Sequence, residues 1–462
     1  MRKLLLGTTA IVAAAGMASS ASAQTSEPIK MRISGYYGAA MGFLPEMQNK
    51  PGQAGFGHRD YAFKQDTEVH FLGETKLDNG LIVGVHFELE GQSGQASTVG
   101  QATGSAAPGN ATVVSGDFMD ETWMYFKGSW GEIRFGDEDD VRKLKAYVAP
   151  VADPGNTFGV NSPLLAFTNS PLGTNTTTTN VENDQTKIIY FTPTIFGFSF
   201  AASFAPDGQS HAGRAPTGGN AGNQFGASGG TVSVPSGSTP LLGNGAGATA
   251  NSNSISAGLN YDGKFGDFTI GIGGGFTTAQ QERATSVTGT AGGFGTSNHD
   301  VWAYRGGGVV GFGPFKFGGS VEKIKGQVGN ANALTQCLGT AATPWTCEHT
   351  VWDAGVTYTI GPFTVGIAGS WGQFKHPYNS VISEASNNSY ALTGHYVIGP
   401  GISLEAAVTH YDYGSGIASP IPLGSLAGVG ASSAGAITST VPFGLERDYH
   451  DTAIMLGTRI NF

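Results

Sequence analysis

Beyond its N-terminal segment the chain has no run of about 20 apolar residues, the length a membrane-crossing helix needs, so any place in a bilayer has to come from strands. Basic residues are scarce: 24 Lys and Arg stand against 34 Asp and Glu, a formal net charge of −10. That balance excludes DNA or RNA as a partner. Cysteine is nearly absent. Cys337 and Cys347 share one hydrophilic stretch, which in an exported chain reads as a local disulfide; their lone pair is a poor zinc signature. No nucleophile, base and orienting acid announce a catalytic triad. His70 with Glu68, and His86 with Glu88, share strand faces, but neither pair has a compelling serine beside it, so no enzymatic activity is expected.

What is present begins with a targeting signal. Arg2 and Lys3 precede the apolar run Leu4 to Ala15, and small residues end in Ala21-Ser22-Ala23. This is the layout of a secretory signal peptide cut after Ala23, leaving one domain over 24–462. Its removal takes the net charge to −12, since Arg2 and Lys3 go with it. Glycine is abundant, 73 of 462, without a collagen repeat, and suits short strands between turns.

Period-2 alternation marks sixteen strands, at about 31–42, 65–76, 80–90, 119–128, 131–136, 187–191, 196–204, 252–261, 266–275, 301–311, 314–322, 350–360, 362–372, 388–398, 401–410 and 449–461. Their connections alternate in length. Asp78-Asn79-Gly80, Gly313-Pro314, Gly361-Pro362 and Gly399-Pro400-Gly401 are tight-turn chemistry. Between these short links lie long ones rich in Gly, Ser, Thr, Asn and Ala, such as 91–118, 137–186 and 411–448. Strict short–long alternation predicts an all-β, up-and-down transmembrane antiparallel barrel, with short periplasmic turns at one rim and long extracellular loops at the other. A soluble sandwich would scatter its loop lengths, and a β-rich surface adhesin would not require the alternation.

The alternation also has a direction. Leu81, Val83, Val85, Phe87 and Leu89 oppose Ile82, Gly84, His86, Glu88 and Glu90, and Phe363, Val365 and Ile367 oppose Thr364, Gly366 and Ala368. Sixteen strands enclose more space than side chains can fill, so the lumen holds water, the polar face points in and the apolar face meets lipid. Closure is obligatory, because an open edge in hydrocarbon leaves backbone groups unpaired. Aromatics at strand ends, among them Tyr36, Trp123, Tyr190 and Trp302, fit interfacial girdles.

Several segments resemble the sixteen-stranded general diffusion porins of Gram-negative bacteria, most of all the alphaproteobacterial type. They are Met31 to Gly38, the hairpin Glu68 to Glu90, Trp130 to Gly136, Lys187 to Pro193 and the terminal Arg459-Ile460-Asn461-Phe462. The resemblance covers nearly all of the mature chain. It implies a homotrimer in the outer membrane among lipid and lipopolysaccharide, with one pore per subunit for small hydrophilic solutes. Phe462 would be the signal read by the barrel-assembly machinery.

By the same resemblance the third long connection, 137–186, folds into the barrel as a constriction. Its acidic side would be Asp137, Glu138, Asp139, Asp140 and Asp153, facing a basic wall of Arg32, Lys76, Lys127, Arg134 and Arg459 chosen by strand parity. Residues 139–148 read as a short helix capped by Asp139 or Asp140. Excess carboxylate at an eyelet favours cations weakly, since Arg142, Lys143 and Lys145 share the segment. A sugar-specific channel with an aromatic slide, using Trp123 and Tyr125, is the alternative. No cofactor is expected; Asp137 to Asp140 offer hard oxygen ligands of the kind Ca²⁺ prefers, without the spacing of a dedicated calcium loop.

Overall fold

The computed structural model describes residues 28–45, 60–91, 119–153, 155–161, 163–168, 175–178, 181–182, 185–207, 250–284, 294–326, 348–378, 382–417 and 448–462. The signal segment 1–23 lies outside these residues. The strands are β1 (Lys30–Phe43), β2 (Tyr61–Lys76), β3 (Ile82–Glu90), β4 (Met119–Gly128), β5 (Gly131–Asp137), β6 (Thr186–Phe191), β7 (Phe198–Asp207) and β8 (Ala250–Phe265). They continue as β9 (Phe268–Ala284), β10 (Phe294–Phe312), β11 (Phe315–Lys325), β12 (Glu348–Ile360), β13 (Phe363–Tyr378), β14 (Ile382–Gly399), β15 (Ile402–Ile417) and β16 (Asp448–Asn461). One short helix, α1 (Val141–Leu144), follows β5.

Each strand pairs with its sequence neighbours and β1 pairs with β16, so the sheet closes into a sixteen-stranded antiparallel barrel. The seam runs from Tyr36 opposite Asn461 to Phe43 opposite Ile454. Gly35 and Phe462 finish it by exchanging backbone hydrogen bonds of 2.9 and 3.0 Å, which leaves no unpaired edge there. The tightest links are two-residue turns. At Phe196-Gly197 both residues have positive φ, 50° and 87°, which matches the twist of the strands it joins; Gly tolerates this freely and Phe196 does not.

The two faces of the wall differ as the alternation requires. Val365 and Ile367 are 52% and 63% exposed, Leu392 and Leu456 similarly so, a density of open aliphatic surface that water would not tolerate and lipid does. Aromatic pairs between adjacent strands line the tight-turn end, among them Phe198–Tyr261, Phe268–Phe312, Phe315–Tyr358 and Phe363–Tyr396, with ring centroids 4.5–4.9 Å apart. Such belts mark the edge of a hydrocarbon layer.

One expectation is corrected. The disulfide expected between Cys337 and Cys347 is not supported: no Sγ–Sγ pair is found among the described residues, and both cysteines lie outside them. Sharing a hydrophilic stretch does not bring two Cα atoms to bridging distance with their Cβ atoms facing each other, and the geometry of a disulfide is strict.

Candidate functional site

The inner face is divided into two regions. From β7 to β14 it is built largely of small residues, with Arg305, Glu322 and Asp353 set among them: Ser203, Ser256, Gly258, Gly273, Gly275, Gly307, Gly318, Gly355, Gly366, Ser370 and Ser389 occupy inward positions. The segment between β5 and β6 lies against this surface. Added Cβ atoms at Gly258 and Gly273 would meet Lys145, one at Gly307 the carbonyl of Tyr147, one at Gly318 or Gly355 Pro150, and one at Gly366 the backbone of Ala152. Further on, Ser389 donates to the carbonyl of Val160, and Phe158, Leu165 and Phe167 pack with Ala407, Tyr411, Ala453, Met455 and Ala40 of β15, β16 and β1. A segment touching the inner faces of so many strands lies inside the barrel.

Polar groups pin it at three places. At the first, Asp140 caps α1 by accepting the N–H of Lys143 at 2.7 Å and accepts that of Val181 at 3.1 Å. Arg142 donates to Asp140 at 3.2 Å and also to Glu322 of β11, all three carrying buried side chains. Burial pushes the Asp140 carboxyl up, but Arg142 and the two backbone donors more than offset this and hold it below the ordinary range. Arg142 loses to burial and gains more from Asp140 and Glu322, so its charge is strengthened. At the second, Asp353 of β12 accepts from Ala149 N–H at 2.8 Å, from Thr177 at 2.5 Å, from Ser320 at 2.7 Å and from Asn161. At the third, Lys187 of β6 donates to the carbonyl of Glu138 and lies 3.8 Å from Glu182. Burial pushes Glu182 up to about 7 despite Lys187.

From β1 to β5 the inner face instead carries long charged and aromatic side chains. Tyr36 donates to Asp66 and Glu68 at 2.9 and 2.7 Å. Across β2 and β3, His70 Nδ1 lies 3.3 Å from His86 Nε2 and 3.2 Å from Glu88. Glu90 stands opposite Glu68 in the register. Arg134 of β5 bridges Glu132 and Glu138 at 2.7 and 2.5 Å and covers the ring of Trp123 at 4.1 Å.

The residues expected at the constriction are placed as follows. Asp137 closes β5 and accepts from Thr186 at 2.5 Å. Glu138 pairs with Arg134, and Asp139 with Lys143 at 2.7 Å. Asp140 is fully buried in the Arg142 cluster. Asp153 is 2% exposed and accepts the N–H of Thr157; burial, then repulsion from Glu405, pushes it up to about 7. Of the basic set, Arg134 joins the acidic segment directly. Arg459 covers the ring of Tyr36 at 3.8 Å and faces Gly155. Lys127 reaches Glu132 at 3.6 Å, and Arg32 and Lys76 lie exposed near the tight-turn rim. The same segment has its helix where expected, over Val141–Leu144 instead of 139–148, with Asp140 as the cap.

Glu322, Asp353 and Lys187 were not singled out from sequence. A partial signal was there: Glu322 lies one inward position from Ser320 and Asp353 one from Gly355, and an acidic side chain among such small residues fits an anchor for a chain packed over it.

A profile of the Gram-negative porin family matches residues 7–416. The chain belongs to that family. Among solved structures, the barrel is similar to the outer membrane channel DcaP of Acinetobacter baumannii, at 10% identity, covering 94% of this chain and 97% of that one with a TM-score of 0.53. It is also similar to the anion-selective porin from Comamonas acidovorans, at 14% identity, covering 94% and 100% with a TM-score of 0.50. At such identities these likenesses concern the fold alone. No curated protein matches the sequence. The porin is thus a passive-diffusion channel of the Gram-negative outer membrane, a transport protein and not an enzyme. Its water-filled lumen removes the desolvation cost that keeps hydrophilic solutes out of a bilayer.

Proposed function

We propose that the porin is a general diffusion pore of weak cation preference, with the segment 137–186 as its constriction. The observation that carries this is the crowd of carboxylates on the inner wall of β2 and β3, where Asp66, Glu68, Glu74, Glu88 and Glu90 share one face. Fixed negative charge along a narrow aqueous path raises the local concentration of cations and repels anions. The acidic side of the constriction in this reading is Asp137, Glu138, Asp139, Asp140 and Asp153, and the basic side Arg32, Lys76, Lys127, Arg134 and Arg459. The pairing of Glu138 with Arg134 supports apposition of the two sides, while the buried state of Asp140 moves the weight of selectivity toward the β2–β3 wall.

The tight-turn rim faces the periplasm in this reading and the long connections face outward. The working unit is a homotrimer, assembled through the machinery that reads Phe462, and the mature domain is 24–462. Kinship with the alphaproteobacterial type rests on the segments quoted above.

A sugar-specific channel is the second reading. Trp123 and Tyr125 do face inward, with ring centroids 5.6 Å apart, but Trp123 is covered by Arg134, which leaves a short platform in place of a slide. Single-channel recording in planar bilayers under a salt gradient decides between them. A reversal potential shifted toward the cation supports the proposal; an anion-shifted potential, or block of conductance by a saccharide, overturns it.

A further inference from the structure

We propose that the inner wall of β2 and β3 holds a binding site for a divalent transition metal of the zinc type, ligated by His70, His86 and Glu88. Glu68 is the positioning residue that orients His70.

The site follows from two short mirror-related stretches, Glu68-Val69-His70 and His86-Phe87-Glu88. Period 2 sends the first and last residue of each to the lumen, and the antiparallel register sets His70 opposite Glu88 with His86 one inward position along. Two paired strands fix these positions, so the ligands are assembled before any ion arrives. Their donor atoms all lie within 4.8 Å of one another. His70 Nδ1 is 3.3 Å from His86 Nε2 and 3.2 Å from Glu88 Oε2. Atoms bonded at about 2.0–2.1 Å to a tetrahedral Zn²⁺ stand about 3.3 Å apart, the edge of such a tetrahedron. The ring centroids are 5.4 Å apart, so the imidazoles meet edge to edge, nitrogen toward nitrogen, and a small rotation of each ring turns both lone pairs onto a common centre.

Support around the ligands separates this cluster from an ordinary polar wall. Glu68 Oε2 lies 3.4 Å from the other nitrogen of His70, Nε2, and Tyr36 donates to Glu68 Oε1 at 2.7 Å. A carboxylate on the far nitrogen fixes the tautomer that leaves Nδ1 free to ligate. His86 is held against Trp123 at 4.8 Å, and its Nδ1 makes no hydrogen bond, so the ring proton can reside there and leave Nε2 to the metal. Two imidazoles and one carboxylate select a borderline ion such as Zn²⁺ over Ca²⁺ or Mg²⁺, which take oxygen sets. The partly exposed side of His70 leaves the fourth position to water in the lumen. Bound there, the ion offsets the charge of Glu68, Glu88 and Glu90, so cation preference falls; this last consequence alone rests on the selectivity proposed above.

Titration calorimetry of the detergent-purified porin with ZnCl2, and separately with CaCl2, tests the site. One saturable zinc site per chain that excess calcium leaves unaffected is expected. Glu68→Gln should weaken it by about 10–100-fold, as loss of an outer carboxylate does, and His70→Ala/His86→Ala should abolish it. No saturable binding by the wild type, or equal binding by the double variant, overturns the proposal. Zinc-edge anomalous diffraction of wild-type crystals gives an answer independent of any variant: a peak between His70 and His86 supports the site, and a peak only elsewhere overturns it. Planar-bilayer recording with added ZnCl2 completes the test. A reversal potential moving toward zero supports both readings, whereas binding without that movement supports the site and overturns the carboxylate origin of selectivity.

Discussion

The guanidinium of Arg142 meets the carboxylate of Glu322 with both side chains shut away from solvent, although the two residues are 180 positions apart in sequence. An inserted segment and a barrel strand are thus joined by a buried ion pair. Removing Glu322 takes one of two carboxylates from the buried Arg142, and breaking a buried ion pair costs up to about 3–5 kcal/mol. Glu322→Gln should therefore loosen α1 from the wall while the barrel stays closed. Single-channel records would show larger or noisier conductance with unchanged heat-modifiable migration on gels. Arg142→Met should loosen α1 further than Glu322→Gln, since it removes the guanidinium from both Asp140 and Glu322.

Glycine under the segment gives a second test. At Gly273 and Gly307 a side chain would fall on the carbonyls of Lys145 and Tyr147, whereas at Gly306 the same addition meets open space. Gly273→Val and Gly307→Val should lift the segment and alter conductance. Gly306→Val should leave it as in the wild type. Equal conductance in all three variants would show that the segment does not rest on this wall.

Selectivity should be carried more by the wall than by the segment. Glu68→Gln/Glu88→Gln removes two carboxylates from the β2–β3 face and should bring the cation-to-anion permeability ratio toward unity in reversal-potential measurements. Asp139→Asn removes a carboxylate already matched by Lys143 at 2.7 Å and should change the ratio less.

Acid should tighten the inserted segment. Asp153 and Glu182 have values raised to about 7 from 3.8 and 4.5, burial being the first cause in both. A carboxyl raised on folding binds its proton more readily in the folded state. Its contribution is then complete below the unfolded value and is lost as pH rises through about 7. Protease resistance of the segment should be greater at pH 5 than at pH 8, and Asp153→Asn should flatten that difference.

The sixteen strands were legible because alternation and turn chemistry are local. The strand ends toward the long connections were not. β9 continues to Ala284 and β14 starts at Ile382, past the bounds 266–275 and 388–398 read from sequence, since Thr277 to Gln281, with Ala279 its one apolar residue, and Ser386 to Ser389 carry too little apolar character on either face to show the contrast. Of the candidate site, the inward parity of Arg134, His70 and His86 could be read from period 2. What each charge meets could not: Asp140 sits in a cluster with Glu322, and Asp353 with Asn161 and Thr177, contacts that only the path of the segment through the lumen creates.

The run of small inward residues from β7 to β14 has an evolutionary consequence. A wall worn down to glycine, serine and alanine is a socket, and the segment seated in it is an insert of separate manufacture. On the proposed reading, in which 137–186 is the constriction, substitutions in that segment reset the aperture while the strand pairings stay as they are, and the outer surface can adapt to a new lipid without touching it. Pore width and membrane fit are then two separately adjustable traits of one chain.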